Sequence, residues 1–197
     1  AVADVAVLGT PDLEMGERLR GALVSLGVRI RLGENYTKAE RVAGRGIVVH
    51  LENGTHICAE KLLVASGRSG RSEELGLSAI GVDVDKRGYV KVDGDYKTKL
   101  DNVYAAGDVI GFPALASTSM EQARVAVCHA FGFSYKKQVS NLLPYGIYTI
   151  PEVSCIGVSE EEAQEKKIDY VVGRAFYRDN ARGKIIGDKD GVIKLVF

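Results

Sequence analysis

Thr98-Lys-Leu-Asp-Asn-Val-Tyr-Ala-Ala-Gly-Asp-Val-Ile-Gly111, followed by Phe-Pro-Ala-Leu-Ala-Ser-Thr118, is the stretch whose reading decides the fold. The apolar run Val103 to Ala106 reads as a buried strand ending in Gly107 and Asp108. A proline turn follows, and small residues then open a helix. In open α/β sheets, ligands sit at the carboxyl ends of strands, beside helix amino termini. Gly107 lets the backbone approach a ligand because no side chain stands in the way. Asp108 can accept hydrogen bonds from sugar-like hydroxyls. The amides near Ala116 and Ser117, free of intrahelical partners, can donate to a ring carbonyl or an anion.

Downstream, residues from Ala114 to about Phe131 predict a helix with Leu115, Met120, Ala123, Val127 and Ala130 as its apolar face. Glu121 and Arg124 are spaced to pair on it, and His129 lies where a helix dipole favours a cation. Upstream, Lys61 to Ala65 reads as another buried strand, running into Ser66-Gly-Arg-Ser-Gly-Arg-Ser72. Two glycines and two arginines there can admit a dinucleotide while supplying positive charge; a plain crossover loop is the other reading.

The chain opens with a strand over residues 2 to 8, a helix capped by Asp12 with an apolar stripe of Met15, Leu19, Leu23 and Leu26, and a strand over Val28 to Leu32. Gly27 marks the helix stop. That order makes a parallel βαβ unit. Tyr36 to Val42, Gly46 to Leu51 and Thr55 to Cys58 read as a β-meander turning at Gly44 and Asn53-Gly54. Residues 132–143 read as a linker. Beyond it, Tyr145 to Gly157 is a strand broken by Pro151, and Ser159 with Glu162 forms a capping box. Asp169 to Tyr177, Gly183 to Gly187 and Gly191 to Phe197 read as strands, with Asp190-Gly191 as a hairpin turn. This order implies an antiparallel α+β block.

Hydrophobic residues make up 46% of the 197 residues and charged ones 26%, with zero formal net charge. The absence of a basic stripe argues against a nucleic-acid partner, and no apolar run approaches membrane-spanning length. Cys58, Cys128 and Cys155 form neither a C-x-x-C pair nor a zinc spacing, so no metal is expected. Sparse cysteines fit a reducing, cytoplasmic setting, each as a small buried side chain. A chain that starts and stops inside apolar strands reads as a piece of a longer protein.

Asn102-Val-Tyr-Ala-Ala-Gly-Asp108 resembles the second flavin-binding motif of the FAD-dependent pyridine nucleotide–disulfide oxidoreductases. Gly107 to Ser117 looks most like the soluble transhydrogenase branch. The resemblance implies that Asp108 binds a ribityl hydroxyl of FAD and that Ala114, Leu115, Ala116 and Ser117 face the pyrimidine side of its ring. Ala65-Ser-Gly-Arg68 is similar to the glycine–arginine motif of the NAD(P) domain, which would place Gly67 near the bound nicotinamide nucleotide. Ser69-Gly70 replaces the family's usual Pro-Asn, and the roles of Arg68 and Arg71 stay open. Tyr148 to Glu152, Ile156-Gly157, Ser159-Glu160 and Asn180 to Arg182 resemble the interface domain, which makes the homodimer in relatives.

The implied fold is α/β: a partial Rossmann-like NAD(P)/FAD-binding region followed by a partial α+β interface domain. Its expected divisions are residues 1–80 (NAD(P) part with meander), 81–135 (FAD part) and 144–197 (interface part). The implied activity is hydride transfer between NADPH and NAD through FAD, with dihydrolipoamide dehydrogenase or another disulfide reductase as the alternative. A non-enzymatic, self-associating module is the reading from a different class. No residue is clearly placed to read the coenzyme's 2′ position, so NAD and NADP both stay open. No catalytic residue is assigned, and the family's glycine-rich turn is not among these residues. This chain by itself is therefore expected not to hold FAD tightly.

Overall fold

The structure is a computed structural model that describes residues 12–197 together with the short strand Val2–Ala3. The predicted strand's remainder, residues 4–8, and the loop Gly9-Thr-Pro11 lie outside the described residues. The chain divides into two compact units, Ala1–Ser66 with Pro144–Phe197, and Gly67–Leu143.

In the first unit, β1 (Val2–Ala3) pairs in parallel with β2 (Arg29–Ile30) across helix α1 (Leu13–Ser25), the expected βαβ connection. Asp12 caps α1, its Oδ1 accepting from the Met15 amide at 3.1 Å. Gly27 follows the helix in the left-handed region at φ +85°. Leu19 is fully buried, but Leu26 is exposed, which corrects the expected stripe. Leu26 is the C-cap residue, with dihedrals that leave the helical spiral, so it drops off the packed face.

The meander follows the sequence reading closely: β3 (Tyr36–Val42), β4 (Gly46–Leu51) and β5 (His56–Ala59) form an antiparallel sheet in that order. Val48 and Leu51 of the central strand are its buried anchors. Lys61 to Ala65, predicted as a buried strand, is not one: it has no regular structure, and Leu63 is 88% exposed. An apolar run becomes a strand only when a neighbour accepts its backbone hydrogen bonds, and no described residue pairs with this one. Cys58 is exposed, against the expectation of a buried thiol, because β5 is an edge strand.

After Pro144, β6 (Tyr145–Ile147) and β7 (Val153–Cys155) form a hairpin around Pro151. Ser159 caps α3 (Glu160–Glu165), its Oγ accepting from the Glu162 amide at 3.2 Å; this is one half of the predicted capping box, and the Glu162 carboxylate pairs with Lys166 at 2.6 Å. β8 (Val172–Phe176) and β9 (Val192–Val196) pair antiparallel. The segment read as a strand over Gly183 to Gly187 is instead helix α4 (Ala181–Ile186), so Asp190-Gly191 is not a tight hairpin turn between neighbouring strands. Asn180 caps it, accepting from the Gly183 amide at 2.6 Å, and Gly187 ends it at φ +75°. Cap and stop residues bracket six residues there, which overrides their β-branched content.

Charged groups join α1, α3, β8 and β9. The Lys194 Nζ lies 2.7 Å from Asp12 Oδ2 and 2.7 Å from Glu160 Oε2. Arg174 Nε lies 2.8 Å from Glu14 Oε2. Burial opposes charge on Glu14, but the guanidinium groups of Arg174 and Arg18 hold its carboxyl below the ordinary value. Burial likewise works against the Lys194 ammonium, and its hydrogen bonds to Asp12 and Glu160 prevail, raising its pKa.

In the second unit, short 3₁₀ turns (Glu73–Leu75 and Leu77–Ile80) lead to the turn Asp85 to Gly88, closed by a 3.0 Å backbone bond. Val103 to Ala106, the expected central strand, joins no sheet among the described residues; it makes the isolated Lys97–Tyr104 bridge, with backbone bonds to Tyr96 and Thr98. Helix α2 (Ala116–Ala130) begins two residues after the predicted start. Its buried face is Thr118, Gln122, Val125, Ala126 and Cys128; Met120, Ala123, Val127 and Ala130 are exposed. The expected apolar face is therefore wrong. Apolar spacing fits more than one face of this small-residue helix, and a bonded glutamine can be buried as readily as an alanine.

Candidate functional site

The site is built where the extended segment ends. Ala106 is still extended (φ −145°, ψ 159°), and Gly107 turns the chain at φ +84°. A Cβ on Gly107 would lie 3.3 Å from Ser119 Oγ in the first turn of α2. The Gly107 N–H donates to Gln122 Oε1 at 2.8 Å, one turn further along. The hydrogen bond holds the turn against the beginning of α2, and Ser119 leaves little room there for a side chain on Gly107. A 3₁₀ turn over Gly107–Ile110 follows, and the Gly111 amide closes on the Asp108 carbonyl at 3.1 Å.

Asp108 thus follows a buried glycine while its own side chain is 51% exposed. Its partner is Arg68, at 3.0 Å from Nη2 to Oδ2. Arg68 is set by a loop fastened at its backbone: its carbonyl accepts from Tyr89 Oη at 3.0 Å and Arg87 Nη2 at 2.7 Å. Gly70 donates to the Arg87 carbonyl at 2.8 Å, and Ser72 Oγ donates to the Gly88 carbonyl at 2.6 Å. The sequence left the role of Arg68 open; the structure gives its guanidinium to Asp108. Arg71 makes no ion pair among the described residues. Gly67 itself is exposed, at φ +114°, with open space where a Cβ would stand.

Ala114 and Leu115 precede α2 rather than belonging to it, and Ala116 and Ser117 are its first residues. The N-cap is Leu115, which has no capping side chain. Ser119 makes the first helical bond, to the Leu115 carbonyl at 2.8 Å, so the Ala116, Ser117 and Thr118 amides have no acceptor within the helix. Ala114, Ala116 and Ser117 are exposed. A carboxylate that accepts and a helix terminus that donates therefore stand at the two ends of one short connection. That pair suits a ligand carrying both hydroxyls and a carbonyl or anionic edge.

Gly67, Asp108 and residues 114–117 all fall in the second unit. Sequence reasoning missed Gln122 and Gly70. A glutamine amid small apolar residues of a helix was the available signal for the first; the second had none beyond the glycine. His129 lies in the last turn of α2, as expected, and its Nδ1 is also 2.9 Å from Tyr104 Oη. Among the described residues no cluster of His, Cys, Asp and Glu could hold a metal ion, and no helix is long and apolar enough to cross a membrane.

Residues 3–130 match the family model for pyridine nucleotide-disulphide oxidoreductases, and residues 143–197 match the model for the dimerisation domain of the same proteins. The chain is 46% identical over 185 residues to a soluble pyridine nucleotide transhydrogenase of Mycobacterium bovis, and 42% identical over 186 residues to one of Marinomonas. Each alignment takes in 94% of this chain but only 39% and 40% of the relatives, so the chain spans about two fifths of their length. Among solved structures, LpdA of Mycobacterium tuberculosis superimposes with a TM-score of 0.84 at 25% identity, over 95% of this chain and 40% of that one. The HOCl-induced flavoprotein disulfide reductase RclA of Escherichia coli superimposes with a TM-score of 0.85 at 27% identity, over 94% of this chain and 42% of that one.

Proposed function

Because the chain belongs to the pyridine nucleotide-disulphide oxidoreductase family, we propose that it is part of an FAD-dependent oxidoreductase passing hydride between NADPH and NAD. The observation that carries this reading is the Gly107–Asp108 turn, which presents an exposed carboxylate beside the uncapped start of α2. FAD fits that arrangement: Asp108 would accept from a ribityl hydroxyl, and the amides of Ala116 and Ser117 would donate to the pyrimidine edge, with Ala114 and Leu115 alongside. The bound flavin supplies the hydride-accepting and hydride-donating centre. In this reading Gly67, next to Arg68, would lie near the bound nicotinamide nucleotide. The names of the relatives support transhydrogenation over the wider set of family reactions.

The proposed organisation is an NAD(P) part over residues 1–80, an FAD part over 81–135 and an interface part over 144–197 that forms a homodimer. The proposed setting is the cytoplasm. A second reading, dihydrolipoamide dehydrogenase or another disulfide reductase, is favoured by the resemblance to RclA. Hydride transfer from NADPH to a thio analogue of NAD, measured beside NAD(P)H-dependent disulfide reduction in the intact protein, separates the two.

The flavin assignment is tested by Asp108→Ala in that protein. Losing a hydrogen bond to a charged group costs about 1.5–3 kcal/mol, so FAD affinity is expected to fall by about 10- to 100-fold. FAD titration into apoprotein, followed by fluorescence quenching, reads this directly. Unchanged affinity would remove Asp108 from the flavin site.

A further inference from the structure

We propose that Gln122 is the positioning residue for Asp108, holding the turn from which that carboxylate reaches the flavin. The inference rests on the flavin reading of Asp108 above. Gln122 lies in the middle of α2 and is 2% exposed. A carboxamide buried in that position is unfavourable unless it bonds, and its bond is to the turn: Oε1 accepts the Gly107 N–H at 2.8 Å. The donor is a backbone amide, so the accepting atom must be the oxygen, and the orientation of the carboxamide follows. Nε2 makes no hydrogen bond among the described residues, so the side chain is not held by a competing partner.

Gly107 is buried, so without Gln122 its amide would have neither a protein acceptor nor ready access to water. Glycine reaches its φ of +84° without strain, so the dihedral alone does not fix the turn, and the hydrogen bond to Gln122 does. Only one peptide separates the bonded amide from the Cα of Asp108. By contrast, the Asp108 side chain is half exposed and is paired with an exposed arginine, a contact too weak to set its direction. Orientation therefore comes from the backbone, and the backbone is held by Gln122. Gln122 touches no ligand in this account; it acts through Asp108.

The test uses the intact flavoprotein with Gln122→Met, Gln122→Glu, Asp108→Ala and the Asp108→Ala/Gln122→Met double variant. FAD dissociation constants are measured on reconstituted apoprotein, alongside thermal unfolding of each apoprotein. Gln122→Met is expected to weaken FAD about tenfold, the size of one lost buried hydrogen bond. Gln122→Glu keeps an acceptor at the same place and should restore affinity to within about threefold of the parent. In the Asp108→Ala background, Gln122→Met should have no further effect on FAD, although its cost in melting temperature persists; a merely structural role would weaken FAD equally in both backgrounds. Unchanged FAD affinity in Gln122→Met, or additive losses in the double variant, overturns the proposal. If Asp108→Ala alone leaves FAD binding unchanged, the flavin reading fails first and the proposal falls with it.

Discussion

Replacing Lys194 by methionine is expected to destabilise the first unit by about 3–5 kcal/mol, the cost of removing one partner from a buried ion pair. β9 places its charged residue inward, with its side chain 5% exposed, and turns Ile193 and Leu195 outward. The ammonium answers Asp12 at 2.7 Å and Glu160 at 2.7 Å. Methionine would fill much of the space but leave the buried Asp12 carboxylate with only the Met15 amide, and Glu160 with only the more distant Arg174 and Tyr170 Oη, each at 3.4 Å. Asp12 caps α1, so the loss spreads to the helix start. Urea unfolding, read by circular dichroism, measures the change; a loss below about 1 kcal/mol would show that the cluster is no more than a surface network.

The same cluster contributes to the dependence on pH. Glu14 has its folded pKa lowered, so its contribution is complete above the ordinary carboxylate range and is lost as pH falls through the folded value. Lys194 has its folded pKa raised, so its contribution is complete below the ordinary lysine range and is lost only as pH rises through that higher folded value. Stability is therefore expected to be level across neutral pH and to fall below about pH 4.3, the reference value for a glutamate. Unfolding midpoints across an acid series check this, and Glu14→Gln should flatten the acid limb.

Gly70→Ala is expected to have the second large effect, about 3 kcal/mol, at the upper end of the overpacking range. A Cβ there would stand 2.3 Å from the Gly88 carbonyl oxygen, 2.6 Å from its carbon and 2.9 Å from the Tyr89 nitrogen. All three are backbone atoms, so no rotamer change relieves the contact. The two strands of chain would part, weakening the Gly70 bond to Arg87 and the Ser72 bond to Gly88. Tyr89 and Arg87 would then lose the Arg68 carbonyl, and Arg68 its approach to Asp108. Gly94→Ala is the control: it has open space around the added carbon and no left-handed φ, and should be nearly neutral. Thermal melting of the two variants side by side decides the matter; equal melting temperatures would mean that the loop yields without cost.

The elements read correctly from the residues share one property: their causes lie within four residues. Asp12 and Ser159 cap the helices that follow them, Gly27 stops one, and Asn53-Gly54 turns the meander. The motif around Asp108 was legible for the same reason, since a glycine, an acid and a helix start follow one another directly. Misreadings arose where a partner elsewhere had the deciding role. Lys61 to Ala65 carries strand-forming residues but has no described strand beside it, and α2 buries Gln122 while the Met120, Ala123, Val127 and Ala130 of its expected apolar face are exposed.

The residues by themselves determined the family, the caps, the meander and the carboxylate at the end of the extended segment, because these follow from local chemistry and order along the chain. Only the tertiary structure decided that Arg68 meets Asp108, that Gly70 lies against Gly88, that Gln122 supports Gly107, and that Lys194 reaches an acid 182 positions away. Each of those contacts joins groups whose separation in sequence carries no signal. A buried polar group is recognised by its partner, and the partner is chosen by the fold.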